Sequence, residues 1–180
     1  MSNERLSWSG LRRAAKRLVR AVAERDAAAI ARVVAHHPRF RAASEVERIK
    51  LADAQLVVAR EHGHAIWAEL KRDHERREFL SRAREERIGE LIDAICGRGW
   101  DAPSTANLER AEEYLKAAPE LCRDDFVLAC ASGEVEVVTR RLDADPGLAT
   151  REQGPRGWQP RVYVAYSLLA KRRERTERIT

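Results

Sequence analysis

Apolar positions fall on helical spacing in one segment after another. From Leu11 to Glu24, the residues Leu11, Ala14, Ala15, Leu18 and Val22 lie close to one face, with Arg12, Arg13, Lys16, Arg17 and Arg20 off it. Residues 1–10 before it are expected to fray. Asp26 is placed to cap a second helix, Ala27 to Ala35, which His36-His37-Pro38 ends. Two histidines at a helix C-terminus meet the dipole favourably, which makes them caps in preference to metal ligands. Ser44-Glu45-Val46-Glu47 has the form of a capping box and predicts a helix from there to about Glu61. Its core positions are Val46, Ile49, Leu56 and Ala59, with Ala52 alongside, and Gly63 offers a left-handed stop. Ala65 to Cys96 reads as one long or kinked helix. Its interior stretch Lys71 to Glu78 has no apolar residue, which predicts a helix crossing solvent or a linker and marks the end of an N-terminal half. After a loop at Gly97 to Ser104, Leu108 to Ala117 is helical, and Asp124 or Asp125 can cap a helix starting near Phe126.

The stretch Phe126 to Thr150 organises the rest. Phe126, Leu128, Ala129 and Cys130 precede Gly133, and Val135, Val137, Val138 and Leu142 follow it. Gly133 supplies a left-handed turn, and Pro146 disfavours helix at Asp145. That is one helix–turn–helix unit, which cannot bury its apolar face alone. Leu18 to Ala42 repeats the pattern without a gap: Ala21 falls on Ala129, Ile30 on Val138, Val34 on Leu142, Pro38 on Pro146 and Phe40 on Leu148, with Arg25 in place of Gly133. Leu115 to Arg123 is a third, partial copy, matching Leu142 to Thr150. The expected architecture is all-α, a stack of helix–turn–helix repeats with an N-terminal helical extension. It divides into 1–75 as a helical region with a degenerate hairpin, 76–107 as connecting helix and loop, and 108–180 as repeats with a basic tail.

The unit ACASGEVEVV within 126–150 resembles the helical half of an ankyrin repeat, A-A-x-x-G-H-x-E-V-V. Gly157 to Ala165, GWQPRVYVA, is similar to the opening of the next repeat, G-x-T-P-L-H-x-A. The departures are Gln159 for the capping threonine, Arg161 for the core leucine, Val162 for the histidine, and Arg140-Arg141 where a leucine is usual. The resemblance covers about 108–170 directly and is nearest a divergent group of bacterial ankyrin-like proteins with D-P-x-L. The segment LADAQLVVAREHG also looks like one that accompanies some of those proteins. It implies an ankyrin-like α-solenoid whose loop Glu152 to Trp158 occupies the place of the β-hairpin finger.

Composition changes the picture little. At 180 residues, with 44% hydrophobic and 35% charged residues and a mean hydropathy of −0.55, the chain suits thin helical layers. No run approaches the roughly 18 apolar residues of a membrane span, and the first residues lack the apolar core of a signal peptide. Three cysteines in apolar settings fit a reducing, cytoplasmic compartment, and 29 Arg against 5 Lys fits a GC-rich genome. Net charge is +5 but uneven: residues 1–50 carry 12 basic and 5 acidic groups, while 101–150 carry 5 and 11. The tail from Lys171 is polar on nearly every face, which leaves the last repeat without a proper second helix; it either caps that repeat or marks a chain cut short.

Chemistry is sparse. His74-Glu75-Arg76-Arg77-Glu78 lacks the second histidine of a helical zinc motif, and Cys122 and Cys130 lack partners at metal spacing. Neighbouring acids such as Glu112-Glu113 and Asp124-Asp125 do not share a helix face. No catalytic, cofactor or metal residues are assigned, and no enzyme is expected. The reading is a non-catalytic protein-binding module with an unknown protein partner, engaging it through the stacked helical face and the 152–158 loop. Trp158, Arg156, Tyr163 and Tyr166 are the candidate contacts. The alternative is a nucleic-acid-associated helical protein using the basic N-terminal segment; no membrane partner is expected.

Overall fold

A computed structural model describes residues 7–98 and 107–177, with side chains described as far as 172. Every regular element among them is helical, and one antiparallel bridge, Gln153 to Trp158, is the extended pairing they contain. No helix among them is long and apolar enough to cross a membrane. The chain forms two compact units, residues 1–75 and 76–180.

The first unit holds α1 (Trp8–Ala23), α2 (Ala27–His36), a 3-10 turn at Ala43–Glu45, α3 (Leu51–Glu61) and the opening of α4 (Trp67–Ser81). Helix α1 starts earlier than the pattern implied, because the Ser7 hydroxyl accepts a hydrogen bond from Gly10 N–H; the expected fraying of 7–10 is corrected, and 1–6 lie outside the described residues. Leu11, Ala15, Leu18 and Val22 are buried against Ala29 and Val33 of α2 and Ala54, Val57 and Val58 of α3. The capping box at Ser44 does not form. Glu45 instead accepts from Arg41 N–H, Val46 and Ile49 are buried ahead of the helix, and α3 starts at Leu51 with the Asp53 carboxylate accepting from Lys50 N–H. The register of α3 consequently leaves Leu56 partly exposed and Ala52 exposed.

The long or kinked helix expected from Ala65 to Cys96 is interrupted after Ser81 and forms two, α4 and α5 (Arg84–Cys96). The apolar gap in α4 is not free of tertiary contact: Asp73 is buried with His64 Nε2 at 3.4 Å from its carboxylate. A partnered carboxylate can replace an apolar contact where an unpaired one could not.

The second unit continues with α5, α6 (Leu108–Ala117), α7 (Glu120–Asp124), α8 (Phe126–Ser132), α9 (Val135–Ala144), a 3-10 turn at Pro146–Ala149, α10 (Pro160–Tyr166) and α11 (Leu168–Glu177). Helix α5 lies in the 76–107 stretch read above as a connection, and supplies Leu91, Ile92 and Ile95 to a core shared with Tyr114, Leu121, Leu128, Tyr163 and Leu169. Phe79 stacks on Tyr114 with ring centroids 4.0 Å apart. Helix α8 packs on α5, α9 and α10, and α11 returns onto α8 and α5. The tail's polar sequence does form a second helix after α10. Ser167 is buried at the break; its hydroxyl donates to Ala131 O at 2.6 Å and accepts from Ala170 N–H at 2.9 Å.

The paired segments share backbone detail. After α1, Asp26 N–H bonds Ala21 O and Arg25 N–H bonds Val22 O; after α8, Glu134 N–H bonds Ala129 O and Gly133 N–H bonds Cys130 O. Both are Schellman closures, and both central residues are left-handed, Arg25 at φ 62° and Gly133 at φ 78°. Helices α2 and α9 are each ten residues long, as are α6 and α11. Each of α2 and α9 is followed by one device: His37 Nδ1 accepts from Arg39 N–H at 3.2 Å, and Asp145 Oδ1 from Gly147 N–H at 3.0 Å.

Candidate partner-binding surface

Between the 3-10 turn and α10 the chain makes a tight loop whose conformation is fixed from beneath. Gln153 N–H donates to Trp158 O, and Gly157 N–H to Gly154 O, each at 3.1 Å. Tyr163, fully buried on α10, donates its hydroxyl proton to Gln153 O and accepts from Arg156 N–H, both at 3.0 Å. Gly154 sits directly over this hydroxyl at φ +75°: a Cβ there would lie 2.9 Å from Val127 Cγ1 and 3.0 Å from Tyr163 Oη. Only glycine satisfies both the backbone and the space.

Arg156 folds inward. Its guanidinium donates to Asp93 at 2.8 Å and to Gly97 O at the end of α5, and lies over the Trp158 ring at 4.8 Å. Its side chain is only 14% exposed. Trp158 in turn meets Tyr163 and Tyr166, with centroids at 5.3 and 5.5 Å. All four sequence-predicted contacts therefore come together, but as the buttress of the loop. Tyr163 has no exposed surface and supports the loop instead of touching a partner; Trp158 and Tyr166 are half-buried against the core.

The surface presented outward is made by other residues. Pro155 and Gly157 are exposed at the loop tip, and Arg161, Val164 and Ala165 on the outward side of α10, with Val164 47% exposed. The sequence carried a signal for two of these: Arg161 and Ala165 are four residues apart and share a helix face away from Tyr163, whereas Val164 is four residues from the buried Pro160 and carried none. Asp93, the partner that orients Arg156, carried no such signal, since it lies 63 residues away.

Helix α9 departs from expectation. Val135, Val137, Val138 and Leu142 were read as core, yet none is buried and Val135 is 72% exposed. The helix packs on α8 and on the 3-10 turn that follows α9, and Arg141 donates to the Arg123 and Asp124 carbonyls at the end of α7 at 3.1 and 3.4 Å. An open groove of about 460 Å³ lies beside it, with Leu115, Pro119, Cys122 and Val137 on its apolar walls.

The three cysteines are buried and free. Burial pushes the Cys96 thiol up to about 11 against a smaller opposing pull from Arg156, and burial, aided by Asp125, pushes Cys130 up to about 11. A thiol so raised is protonated at neutral pH and is a poor nucleophile. Among the described residues, no group of three or more His, Cys, Asp or Glu is placed to hold a metal ion. Family models, curated proteins and solved structures give no match to the chain.

Proposed function

We propose that the second unit is a protein-binding module of ankyrin-like type, a short α-solenoid that holds a protein partner against the 154–165 surface without chemistry of its own. Two features support the solenoid reading. Helix α8 and α10 are both seven residues long and start 34 residues apart; α9 and α11 are both ten and start 33 apart. A period of 33–34 residues built from helix pairs is that of helical repeat arrays, ankyrin among them.

The observation that carries the binding reading is the preformed loop. Tyr163 and Arg156 commit part-buried hydrogen bonds and an ion pair, and Gly154 a close fit, to a segment whose packing on the core is through Trp158. A loop held rigid before contact loses little entropy on association, and beside it Val164 offers apolar area with the Arg161 charge next to it. The partner is a protein surface with an apolar spot and a carboxylate in reach of Arg161, in a cytoplasmic setting. Photocrosslinking tests this. With p-benzoylphenylalanine at position 164, a discrete adduct is expected in native extract; the same group at Val135 gives none. Adducts at 135 and not at 164 would move the contact to α9, and no adduct at either position would remove the proposal.

A further inference from the structure

The first unit carries a charge feature that the partner-binding reading leaves unused. Between residues 1 and 75 there are 15 Lys and Arg against 10 Asp and Glu, an excess of 5. Helix α1 alone holds five, Arg12, Arg13, Lys16, Arg17 and Arg20, and no acid. The rest of the unit is balanced. All five are exposed, and at spacings of one, four, five and eight residues they share one stripe of the helix. No carboxylate of the described residues pairs with any of them. In the groove that Arg17 helps to line, the carboxylate of Glu61 is held by Arg32 through two bonds of 2.7 and 2.8 Å.

We infer that the exposed face of α1 is a docking surface for the phosphodiester backbone of a nucleic acid. Arg12 to Arg20 rise about 12 Å along the helix, and duplex DNA presents about seven phosphates over that length. The cation density thus approaches that of its counterpart. Four of the five are arginine, whose planar fork bonds phosphate oxygens in pairs, where lysine offers a point charge. An anionic membrane fits less well. A helix that lies on a bilayer inserts its apolar side, and here Leu11, Ala15, Leu18 and Val22 are buried in the unit's own core. The contact reads charge and not base sequence, since the five cations suit phosphate oxygens, with the exposed Ser9 and Glu24 at the two ends of the stripe.

The test is fluorescence anisotropy of the full chain with a labelled 20-bp duplex and a 20-nucleotide single strand between about 50 and 200 mM salt, beside a vesicle pelleting arm with phosphatidylserine. Duplex binding is expected with a salt slope near −4.5 if all five cations contact phosphate, and about −3.5 for the single strand. Arg13→Gln, Arg17→Gln and Arg20→Gln together should flatten the duplex slope to about −2 and weaken binding at least about tenfold at 100 mM. Arg48→Gln, Arg72→Gln and Arg140→Gln, equally exposed and equal in charge removed, should leave it unchanged. No binding to either nucleic acid at 50 mM, equal losses in both triple variants, or retention on vesicles alone would each overturn the inference. Circular dichroism of both variants excludes unfolding as the cause.

Discussion

The support beneath the 152–158 loop makes a quantitative claim that two glycines can separate. Gly154 and Gly157 are both left-handed, at φ +75° and +60°. A Cβ at 157 would meet nothing within 4 Å, while one at 154 would overlap Val127 and the Tyr163 hydroxyl at 2.9 to 3.1 Å. Gly157→Ala therefore bears the left-handed strain alone, about 1 kcal/mol after the entropy gained in the unfolded chain. Gly154→Ala adds overpacking of about 1–3 kcal/mol. The addition is limited because the loop can lift away. Lifting forfeits two hydrogen bonds to a buried tyrosine, itself about 2 kcal/mol. Gly154→Ala should thus cost about 2–3 kcal/mol and Gly157→Ala about 1, read by urea denaturation followed by circular dichroism. Equal losses at the two positions would refute the claim that Tyr163 and Val127 hold the loop from below.

Arg25→Gly should stabilise the first unit by about 0.5–1 kcal/mol in the same assay, because a non-glycine residue there pays for a left-handed turn that glycine adopts freely. Ser167→Ala should destabilise by about 1–3 kcal/mol, since it leaves the buried Ala131 carbonyl without its donor and removes the cap of α11. For the thiols the sign follows from folded values lying above the unfolded ones: their contribution to stability is complete below about pH 9 and is lost as pH rises toward about 11. Native protein at pH 8 should accordingly leave Cys96 and Cys130 unmodified by iodoacetamide, while urea exposes both; fast native labelling of either would contradict their burial.

What the sequence disclosed depended on how local the determining physics was. Asp26 and Asp125 cap the helices after them, accepting from Ala29 and Leu128 N–H at 2.7 and 2.8 Å, and Gly63 closes α3 at φ +81°. All three are decided within a few residues. The helical class followed from the same spacing rules; within the internal match of 18–42 with 126–150, α2 and α9 are equal in length and the turns before them share a bonding pattern, while α1 and α8 differ at 16 and 7 residues. Ser44 misled because a capping signature competes with tertiary demand: burying Val46 and Ile49 required an extended approach to α3. The polar run in α4 concealed a buried carboxylate, whose partner His64 only the folded chain brings near. In the candidate surface, clustering of Trp158, Arg156, Tyr163 and Tyr166 was legible from proximity in sequence, but the inward turn of Arg156 is fixed by Asp93 and Gly97, on and just after a distant helix. Pattern alone does not say which of two aromatic-rich faces a remote element will cover.

The most direct test of the binding claim is calorimetric titration of the partner captured at position 164 against purified full-length protein and the double variant Arg161→Glu, Val164→Asp. Both residues are exposed, so the fold should persist. Loss of an apolar anchor and reversal of its neighbouring charge should weaken affinity at least about tenfold, the equivalent of 1.4 kcal/mol or more, with Val135→Asp on α9 leaving it unchanged. Undiminished affinity in the double variant, with Val135→Asp carrying the loss, would contradict the account.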